Sequence, residues 1–216
     1  MKKAIIVFSN FFLPGVLGGG PIRSLEGQVK KLAKIYDFHI ITASHDAFLS
    51  KDYDNVDLDK WNKLEYASCY YLSEKNKSIK IISKIIKDKK NDFDIIYLNS
   101  FFNFWYSILP LIIYKFFYSN KKLILAPRGE FNNNALSINK FKKKFFIFLS
   151  KLLQLHKNIT WHATNHFEEY DIKKIFPNVQ INVVENISLF EHQKIFDSKV
   201  KIKDTLNILL LSRITE

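Results

Sequence analysis

The sequence is poor in the residues that build disulfides and metal clusters. It has one cysteine, Cys69, and six scattered histidines in 216 residues, which excludes a disulfide scaffold and a zinc cluster and favours a reducing compartment. Glycine is also scarce, with six residues against an average of about 7%. Arginine occurs only three times, as Arg23, Arg128 and Arg213. Places where these rare residues occur are therefore informative.

Aromatic and basic residues, by contrast, are abundant. The chain has 20 Phe, 10 Tyr and 3 Trp, 47% hydrophobic residues and a net charge of +12, which excludes disorder and supports a sizeable core. The length corresponds to one or two domains. The start, Met1-Lys2-Lys3, has the charge of a signal peptide, but the apolar run Ala4–Phe8 that follows is short and predicts a first β-strand instead.

Short β-branched runs alternate with longer helical patterns, which is typical of βαβ units and a parallel sheet. The predicted strands are Ala4–Phe8, Phe38–Thr42, Ala67–Leu72, Ile95–Leu98, Leu123–Ala126, Thr160–Ala163 and Ile181–Val184. The predicted helices are Ile22–Ile35, Ile79–Lys89, Phe101–Phe117, Lys140–Leu155 and Glu168–Ile175. The predicted fold is therefore α/β, a Rossmann-like parallel sheet with helices on both faces. The acidic stretch Ala43–Glu65 is predicted to be a long excursion between two strands.

The composition changes towards the end of the chain. Residues 1–187 are predicted to form one domain, and 188–205 a charged linker that lacks strand patterns. The apolar run Leu206–Leu211 then predicts a strand with no helix after it, so we interpret 206–216 as the start of a second, missing domain.

One apolar segment, Phe101–Tyr118, is long enough to suggest a transmembrane helix. It contains Asn103, Pro110 and Lys115 and directly follows a predicted strand. A buried helix is therefore favoured over a membrane span.

Five of the six glycines lie between Gly15 and Gly27, and Gly18, Gly19 and Gly20 are consecutive. The loop joins a predicted strand to a predicted helix, so its amides and the helix N-terminus favour an anionic ligand. Arg23 would add a planar donor. The sequence matches neither a dinucleotide fingerprint nor a P-loop. The alternative is a turn that needs glycine only for space.

The sixth glycine lies in a second loop, Ala126–Phe131, just after a predicted strand. In open α/β sheets the loops at the carboxyl ends of the strands share a crevice, so the two glycine loops should lie together. Arg128 could bind a phosphate or carboxylate, and Glu130 could accept protons or orient a sugar. The alternative is an Arg128–Glu130 ion pair that only shapes the turn.

Between Lys115 and Lys157 the chain has ten basic residues and one acid. Within Lys140–Lys157, one helical face combines Phe141, Phe145, Phe148, Leu149 and Leu152. A basic amphipathic helix of this kind is typical of an anionic membrane surface, and the alternative is a helix that packs on the core with a solvated lysine face. Nucleic acid is not an expected partner, because no known binding module is present.

Polar residues also follow the predicted strand Thr160–Ala163. Asn165 or Thr164 is predicted to cap the next helix, with Glu168 in its first turn. The spacing of His162 and His166 does not match that of a metal site.

Four segments together resemble the N-terminal half of a group 1 glycosyltransferase (family 4, retaining, GT-B fold). They are FLPGVLGGGPIRSLEGQVKKLAK, ILAPRGEFNNNALSINKFKKK, WHATNHFEEYDI and ILLLSRITE, and in this order they span nearly the whole chain. The resemblance implies two Rossmann-like domains that face each other across a cleft. The first domain mostly receives the acceptor, and the second holds the nucleotide-sugar.

The resemblance also implies roles for individual residues. Gly19 and Gly20, with Gly18 and Arg23 beside them, match the loop near the donor diphosphate and the acceptor, and Asn165, in the third matching segment, is also expected to bind substrate or donor. Arg128 and Glu130 are the expected catalytic residues; they stand where many members carry a His-Asp pair, so a subgroup with a Pro-Arg-Gly loop is closer. Arg213 matches the arginine that binds the donor phosphates, and its usual lysine partner would follow Glu216.

The function expected from this resemblance is transfer of a sugar from a nucleotide-sugar to a polysaccharide or lipid-linked glycan acceptor. Neither a metal nor a cofactor is expected, because positive side chains and helix ends would stabilise the leaving diphosphate. The expected location is the cytoplasm, peripheral to the inner face of the plasma membrane. The alternative function is a non-catalytic module that binds a glycan or a lipid.

Overall fold

The computed structural model describes residues 2–88 and 93–187. The predicted linker, the strand Leu206–Leu211 and Arg213 lie outside the described residues. Within these ranges the chain forms eight strands, six α-helices and one π-helical turn. In chain order they are β1 Lys3–Phe8, α1 Gly20–Leu32, β2 Tyr36–Ala43, β3 Trp61–Lys63, β4 Ser68–Leu72, α2 Ile79–Asp88, β5 Ile95–Leu98, the π-helical turn Phe104–Ile108, α3 Leu109–Phe117, β6 Lys122–Leu125, α4 Asn133–Ser137, α5 Lys140–Leu152, β7 Thr160–Ala163, α6 His166–Ile175 and β8 Gln180–Val183.

All eight strands form one sheet in the order β3-β4-β2-β1-β5-β6-β7-β8. Each neighbouring pair is parallel except β3 and β4, which are antiparallel. The chain winds outward from β1 in one direction through β2 and β4, and in the other direction through β5, β6, β7 and β8. The winding therefore reverses between β1 and β5, as in a Rossmann-like sheet, and such a switch point opens a crevice at the carboxyl ends of the strands.

Alternate residues of the central strands face two separate apolar layers, because successive side chains of a strand point to opposite faces. In β1, Ile6 and Phe8 belong to one layer, and Ile5 and Val7 to the other. Helix α1 packs on the second layer, while α2 and α3 pack on the first. The predicted parallel sheet with helices on both faces is confirmed.

An aromatic cluster fills the first layer beneath β7. Trp161 is 0% exposed, stacks on Phe101 at 5.8 Å between ring centroids and touches Phe131 and Phe176. His156 lies in the same cluster, where burial and the charge of Lys115 lower its pKa to about 3. The ring is therefore neutral at physiological pH, which suits an apolar environment.

The helix predicted over Phe101–Phe117 is wrong in its first part. Residues up to Asn103 are irregular, and the Asn103 side chain accepts a hydrogen bond from the Tyr106 amide to start the π-helical turn. Helix α3 then continues and buries Leu109 and Leu111 in the core. Among residues 2–88 and 93–187, no helix combines the length and apolar character needed to cross a bilayer.

Two short elements were not predicted. The excursion Ala43–Glu65 contains the edge strand β3, which pairs with β4, and α4 forms before α5 with Asn132 as its cap. Both elements are too short to carry a hydrophobic period. They were therefore not recognisable from sequence patterns.

A buried and an exposed aromatic side chain should respond differently to removal. Trp161→Ala should lower the free energy of unfolding by about 3–5 kcal/mol, because the cavity left in the cluster cannot collapse fully. Phe141→Ala, at a residue that is 89% exposed, should change it by less than about 0.5 kcal/mol. Urea denaturation of both variants measures the difference, and equal losses would contradict the described packing.

Candidate functional site

Two cavities lie at the carboxyl ends of the central strands, where the winding reverses. The switch cavity has a volume of about 460 Å³ and is lined by residues that follow β1, β5 and β6, together with Gly18 and Lys143. The side cavity, of about 390 Å³, is lined by Gly20, Gly129 and Asn165 among others. Arg128 lines both cavities. The structure thus brings both predicted glycine loops together.

Arg128 has an unusual backbone conformation. Its φ is 53°, in the left-handed region, and that of Gly129 is 75°. For a residue with a side chain this conformation costs about 1–3 kcal/mol and is concentrated at functional sites. It turns the Arg128 side chain back across the ends of the strands, between the two cavities.

The guanidinium of Arg128 is held by three neutral groups. Nε donates to Asn99 Oδ1 at 2.7 Å, Nη1 to Asn186 Oδ1 at 2.8 Å and Nη2 to the Tyr97 hydroxyl oxygen at 2.9 Å. Among the described residues, no carboxylate forms an ion pair with it. The side chain is therefore fixed in place while its positive charge stays available.

Glu130 does not pair with Arg128, so the ion-pair alternative is wrong. Its carboxylate accepts hydrogen bonds from the Ser100 hydroxyl at 2.8 Å and from the amides of Phe101 at 2.6 Å and Phe102 at 3.0 Å. Burial raises the pKa of the Glu130 carboxyl, and these hydrogen bonds oppose the rise. Glu130 thus holds the loop after β5 and forms part of the wall of the switch cavity.

Tyr97 on β5 connects Arg128 to His162 on β7, two strands away in the sheet. The Tyr97 hydroxyl lies 2.8 Å from His162 Nδ1, and His162 Nε2 lies 2.8 Å from the Val184 carbonyl oxygen. A carbonyl only accepts, so Nε2 carries the proton and Nδ1 accepts the proton of Tyr97. Burial, helped by the charge of Arg128, lowers the pKa of His162 and keeps the ring neutral.

The first glycine loop is closed by a carboxylate of the chain itself. Asp46 Oδ2 accepts hydrogen bonds from the amides of Val16 at 2.7 Å and Leu17 at 3.0 Å, and Oδ1 accepts one from Ala47 at 2.8 Å. Burial alone would raise the pKa of Asp46, but these amide hydrogen bonds outweigh it and lower the pKa. The Val16 and Leu17 amides, which belong to the loop predicted to bind an anionic ligand, therefore already donate to Asp46.

The three consecutive glycines have different surroundings. Gly19 has a φ of 69°, which favours glycine, and a Cβ added to Gly18 would lie 2.7 Å from Ile22 Cδ1, so the Ile22 side chain would have to move. Gly20 begins α1, which has no side-chain cap, and a Cβ there would meet no described atom within 4 Å. Gly20 is thus the glycine with open space in front of it, and it lines the side cavity.

Asn165 caps α6, as predicted, by accepting a hydrogen bond from the Glu168 amide at 2.9 Å. It also lines the side cavity. The buried Glu168 carboxylate accepts hydrogen bonds from the Gly129 amide and the Thr164 amide, each at 2.7 Å. Glu168 therefore fixes the loop that carries Arg128. The sequence pattern predicted Glu168 in the first turn of the helix but did not predict this contact.

Arg23 lies apart from the other predicted residues. Its Nη1 is 3.0 Å from Glu26 Oε2, and Arg23 is absent from the described lining of both cavities. Arg213 lies outside the described residues. The structure therefore groups Gly18, Gly20, Arg128, Glu130 and Asn165 and separates Arg23 from them.

The polar residues that sequence reasoning missed share one property. Asn99, Asp46 and Asn186 each lie within three residues of the end of a strand, where parallel strands deliver their loops to one edge. Position after a predicted strand was the signal that could have found them. Tyr97 and His162 lie inside strands and gave no comparable signal.

These features define the class of the molecule as an α/β protein with a Rossmann-like sheet and a crevice near its switch point that contains the Arg128 guanidinium. No known protein-family model matches the chain, and comparison with curated proteins finds no match either. Within the part of the chain that the structure describes, no group of three or more His, Cys, Asp or Glu side chains could hold a metal ion.

The Asp46 contacts predict a dependence of stability on pH. Because the folded protein lowers the pKa of Asp46 below its ordinary 3.8, the stabilisation is present above that value and is lost as pH falls through the folded pKa. Asp46→Asn should therefore lower the free energy of unfolding at pH 7 by about 1–3 kcal/mol. The difference from the wild type should shrink in acid.

Urea denaturation at pH 7 and in a series of buffers below pH 4 measures this difference. Asp54→Asn is the matched control, because the Asp54 carboxylate is exposed and pairs with Lys51, its one ion-pair partner among the described residues. A difference between the Asp46→Asn variant and the wild type that does not change with pH would contradict the assigned role of the carboxylate.

Two glycines of the same loop should respond differently to a methyl group. Gly15→Ala places a Cβ 2.4 Å from the Tyr53 hydroxyl oxygen and 2.9 Å from the Phe12 carbonyl oxygen, and should destabilise the fold by about 1–3 kcal/mol. Gly20→Ala meets no described atom within 4 Å beyond its chain neighbours, and only the restriction that Pro21 places on the preceding helical residue opposes it, so it should destabilise the fold less than Gly15→Ala does. Thermal denaturation compares them, and a Gly20→Ala variant as unstable as Gly15→Ala would refute this assignment.

Proposed function

We propose that the chain is the acceptor-side domain of a retaining, metal-independent glycosyltransferase of the GT-B type. The reaction would transfer a sugar from a nucleotide-sugar to a polysaccharide or lipid-linked glycan, and the diphosphate of the donor would contact this domain at the glycine loop and Arg128. The observation that carries the proposal is the charge of Arg128, which lies between two cavities at the switch point and has no described carboxylate partner. The likeness of the glycine and Pro-Arg-Gly loops to those of group 1 glycosyltransferases supports the same function.

A phosphate-bearing ligand fits these groups. A guanidinium has five N–H donors, and the three neutral contacts of Arg128 leave two for a ligand. The side cavity adds the uncapped start of α1 at Gly20, where helix amides and the helix dipole favour an anion. Both groups contribute positive potential to the same cavity. Glu168 and Asp171 also line it and oppose that potential, although the Glu168 carboxylate is bonded to loop amides and the Arg128 guanidinium need not leave a carboxylate to bind a diphosphate.

In the proposed reaction, positive charge near the leaving group has a direct chemical role. A nucleoside diphosphate leaves with its negative charge increasing, and donors already fixed in place stabilise that charge without reorganising. Arg128 is such a donor, since Asn99, Tyr97 and Asn186 hold its side chain. The positive groups would thus lower the barrier to departure of the diphosphate.

Glu130 has a different role in this proposal. Its carboxylate already accepts three hydrogen bonds from the loop after β5. These contacts favour a positioning role over proton transfer, because a proton would weaken the bonds that shape the switch cavity. The acceptor would then be bound beside a wall that Glu130 holds in place.

The alternative, a non-catalytic module that binds a glycan or a lipid, is supported by a separate observation. Helix α5 exposes a row of apolar side chains, Phe141, Phe145, Phe148 and Leu152, next to lysines. Such a surface suits lipid binding whether or not the chain catalyses a reaction. Sugar transfer from a nucleotide-sugar distinguishes the two functions.

Binding of a nucleoside diphosphate tests the role of Arg128. The full chain should bind UDP or GDP in titration calorimetry, and Arg128→Gln should weaken the binding by about tenfold or more, because a charged hydrogen-bond donor is lost. Arg23→Gln is the matched control, since Arg23 lies outside the described lining of both cavities. Circular dichroism should show that both variants are folded.

Two results would contradict the proposal. One is the absence of binding by the wild type to every nucleoside diphosphate tested. The other is an equal loss of affinity in the Arg23→Gln and Arg128→Gln variants, which would indicate unspecific attraction to a basic protein.

A further inference from the structure

Helix α5 carries a row of large apolar side chains that the described fold leaves in solvent. The exposed fractions are 89% for Phe141, 66% for Phe145, 63% for Phe148 and 66% for Leu152. At 3.6 residues per turn, these four positions fall within an arc of about 60° and extend over roughly 16 Å of helix. We call them the α5 stripe. Soluble proteins rarely expose a continuous apolar surface of this kind without a partner.

The stripe is not the face by which α5 is attached to the protein. Phe146 and Ile147 pack against the core, and Ser150 is buried. These residues lie on the opposite side of the helix, about 180° from the stripe. The alternative that α5 packs on the core therefore holds for the face with Phe146 and Ile147. It does not hold for the four residues of the α5 stripe, which are exposed. Helix α5 is apolar on two opposed sides, and the fold uses one.

Lysines border the α5 stripe on both sides. Lys140, Lys144 and Lys151 lie along one edge and Lys142 along the other, and the helix contains no acidic residue. A lysine at such an edge can lay its alkyl chain along an apolar surface and extend its ammonium group to anionic headgroups. Apolar side chains in the centre with cations at the edges are the pattern of a helix that lies in a lipid interface.

We propose that α5 docks this protein on an anionic lipid bilayer, with the helix axis in the plane of the interface and the four side chains of the α5 stripe inserted between the lipids. Charge favours a bilayer over a second copy of the chain. A two-fold pair of stripes would bring two rows of lysines together without a described acid to compensate them. Anionic headgroups, in contrast, attract the same lysines.

The docked helix also sets the height of the switch cavity above the bilayer. Lys143 lies on the buried side of α5, sits 5.0 Å from the centre of the Phe102 ring and lines the switch cavity. An α-helix is about 10–12 Å across, so the cavity would open roughly one helix diameter from the lipid surface. If the proposed function is right, the acceptor is then a lipid-anchored glycan; the docking itself does not depend on that function.

Binding to vesicles tests the docking. The full chain should sediment with vesicles of equal parts phosphatidylglycerol and phosphatidylcholine, and less with phosphatidylcholine alone. Phe145→Ser/Phe148→Ser should reduce partitioning by about tenfold or more. Phe167→Ser is the control, because Phe167 on α6 is exposed to a similar extent, 85%, outside the stripe. No nucleotide or sugar is present, so the result is independent of the proposed function.

Charge reversal separates the lysines from the apolar side chains. Lys140→Glu/Lys144→Glu/Lys151→Glu should abolish the preference for anionic vesicles while leaving weak binding to phosphatidylcholine unchanged. Raised salt should reduce binding by the wild type and have little effect on this variant.

A fluorescent label reports whether the stripe enters the lipid. Cys69 is the one cysteine of the sequence and is buried, and burial raises its pKa to about 12, so it is poorly reactive. An environment-sensitive label on Phe148→Cys should shift to the blue with anionic vesicles, and the same label on Phe167→Cys should not.

Several outcomes would overturn the proposal. They are the absence of vesicle binding by the wild type, an equal loss in the Phe167→Ser variant, or no shift of the label at position 148. A dimer in size-exclusion chromatography that Phe145→Ser/Phe148→Ser dissociates would assign the stripe to a second copy. Coverage of the stripe by another part of the chain would appear as no vesicle binding and no shift.

Discussion

Buried carboxylates tie together the loops at the carboxyl edge of the sheet. Asp46 accepts hydrogen bonds from the glycine loop after β1, Glu130 from the loop after β5, and Glu168 from the loop after β6. Each carboxylate accepts hydrogen bonds from a loop other than its own, and Asp46 also accepts one from the neighbouring Ala47 amide. Loop amides removed from water must find acceptors, and charged acceptors form the stronger hydrogen bonds. The position of Arg128 depends on this frame, because Glu168 holds the amide of the next residue.

The central strands were predictable because each is a short apolar run bordered by turn residues, and Ile95–Leu98 and Thr160–Ala163 have the predicted bounds. Three features escaped prediction for physical reasons. The edge strand β3 is three residues long and is defined by its pairing with β4. The irregular start of the Phe101–Phe117 segment depends on the side chain of Asn103. The exposure of the α5 stripe depends on which of two apolar faces meets the core.

The candidate site was partly predictable, and the part that was predicted came from rare residues. Arg128 and Gly20 stood out because the sequence has three arginines and six glycines, and both line the side cavity. Tyr97 could not be recognised, because an interior strand residue has no distinctive pattern, and Asp46 was missed although its position after a predicted strand was a usable signal. They reach the site only through the order of the strands, which brings β1, β2 and β5 together.

The closure of the glycine loop by Asp46 affects how a ligand is selected and when the loop loses its conformational entropy. A glycine-rich loop without such a contact samples many backbone conformations, and a ligand must then select one of them. Here the Val16 and Leu17 amides are bonded within the chain, so the loop loses its conformational entropy during folding and not during binding. The rim of the crevice is preorganised, and a ligand is selected by its shape and not by induced closure of the loop.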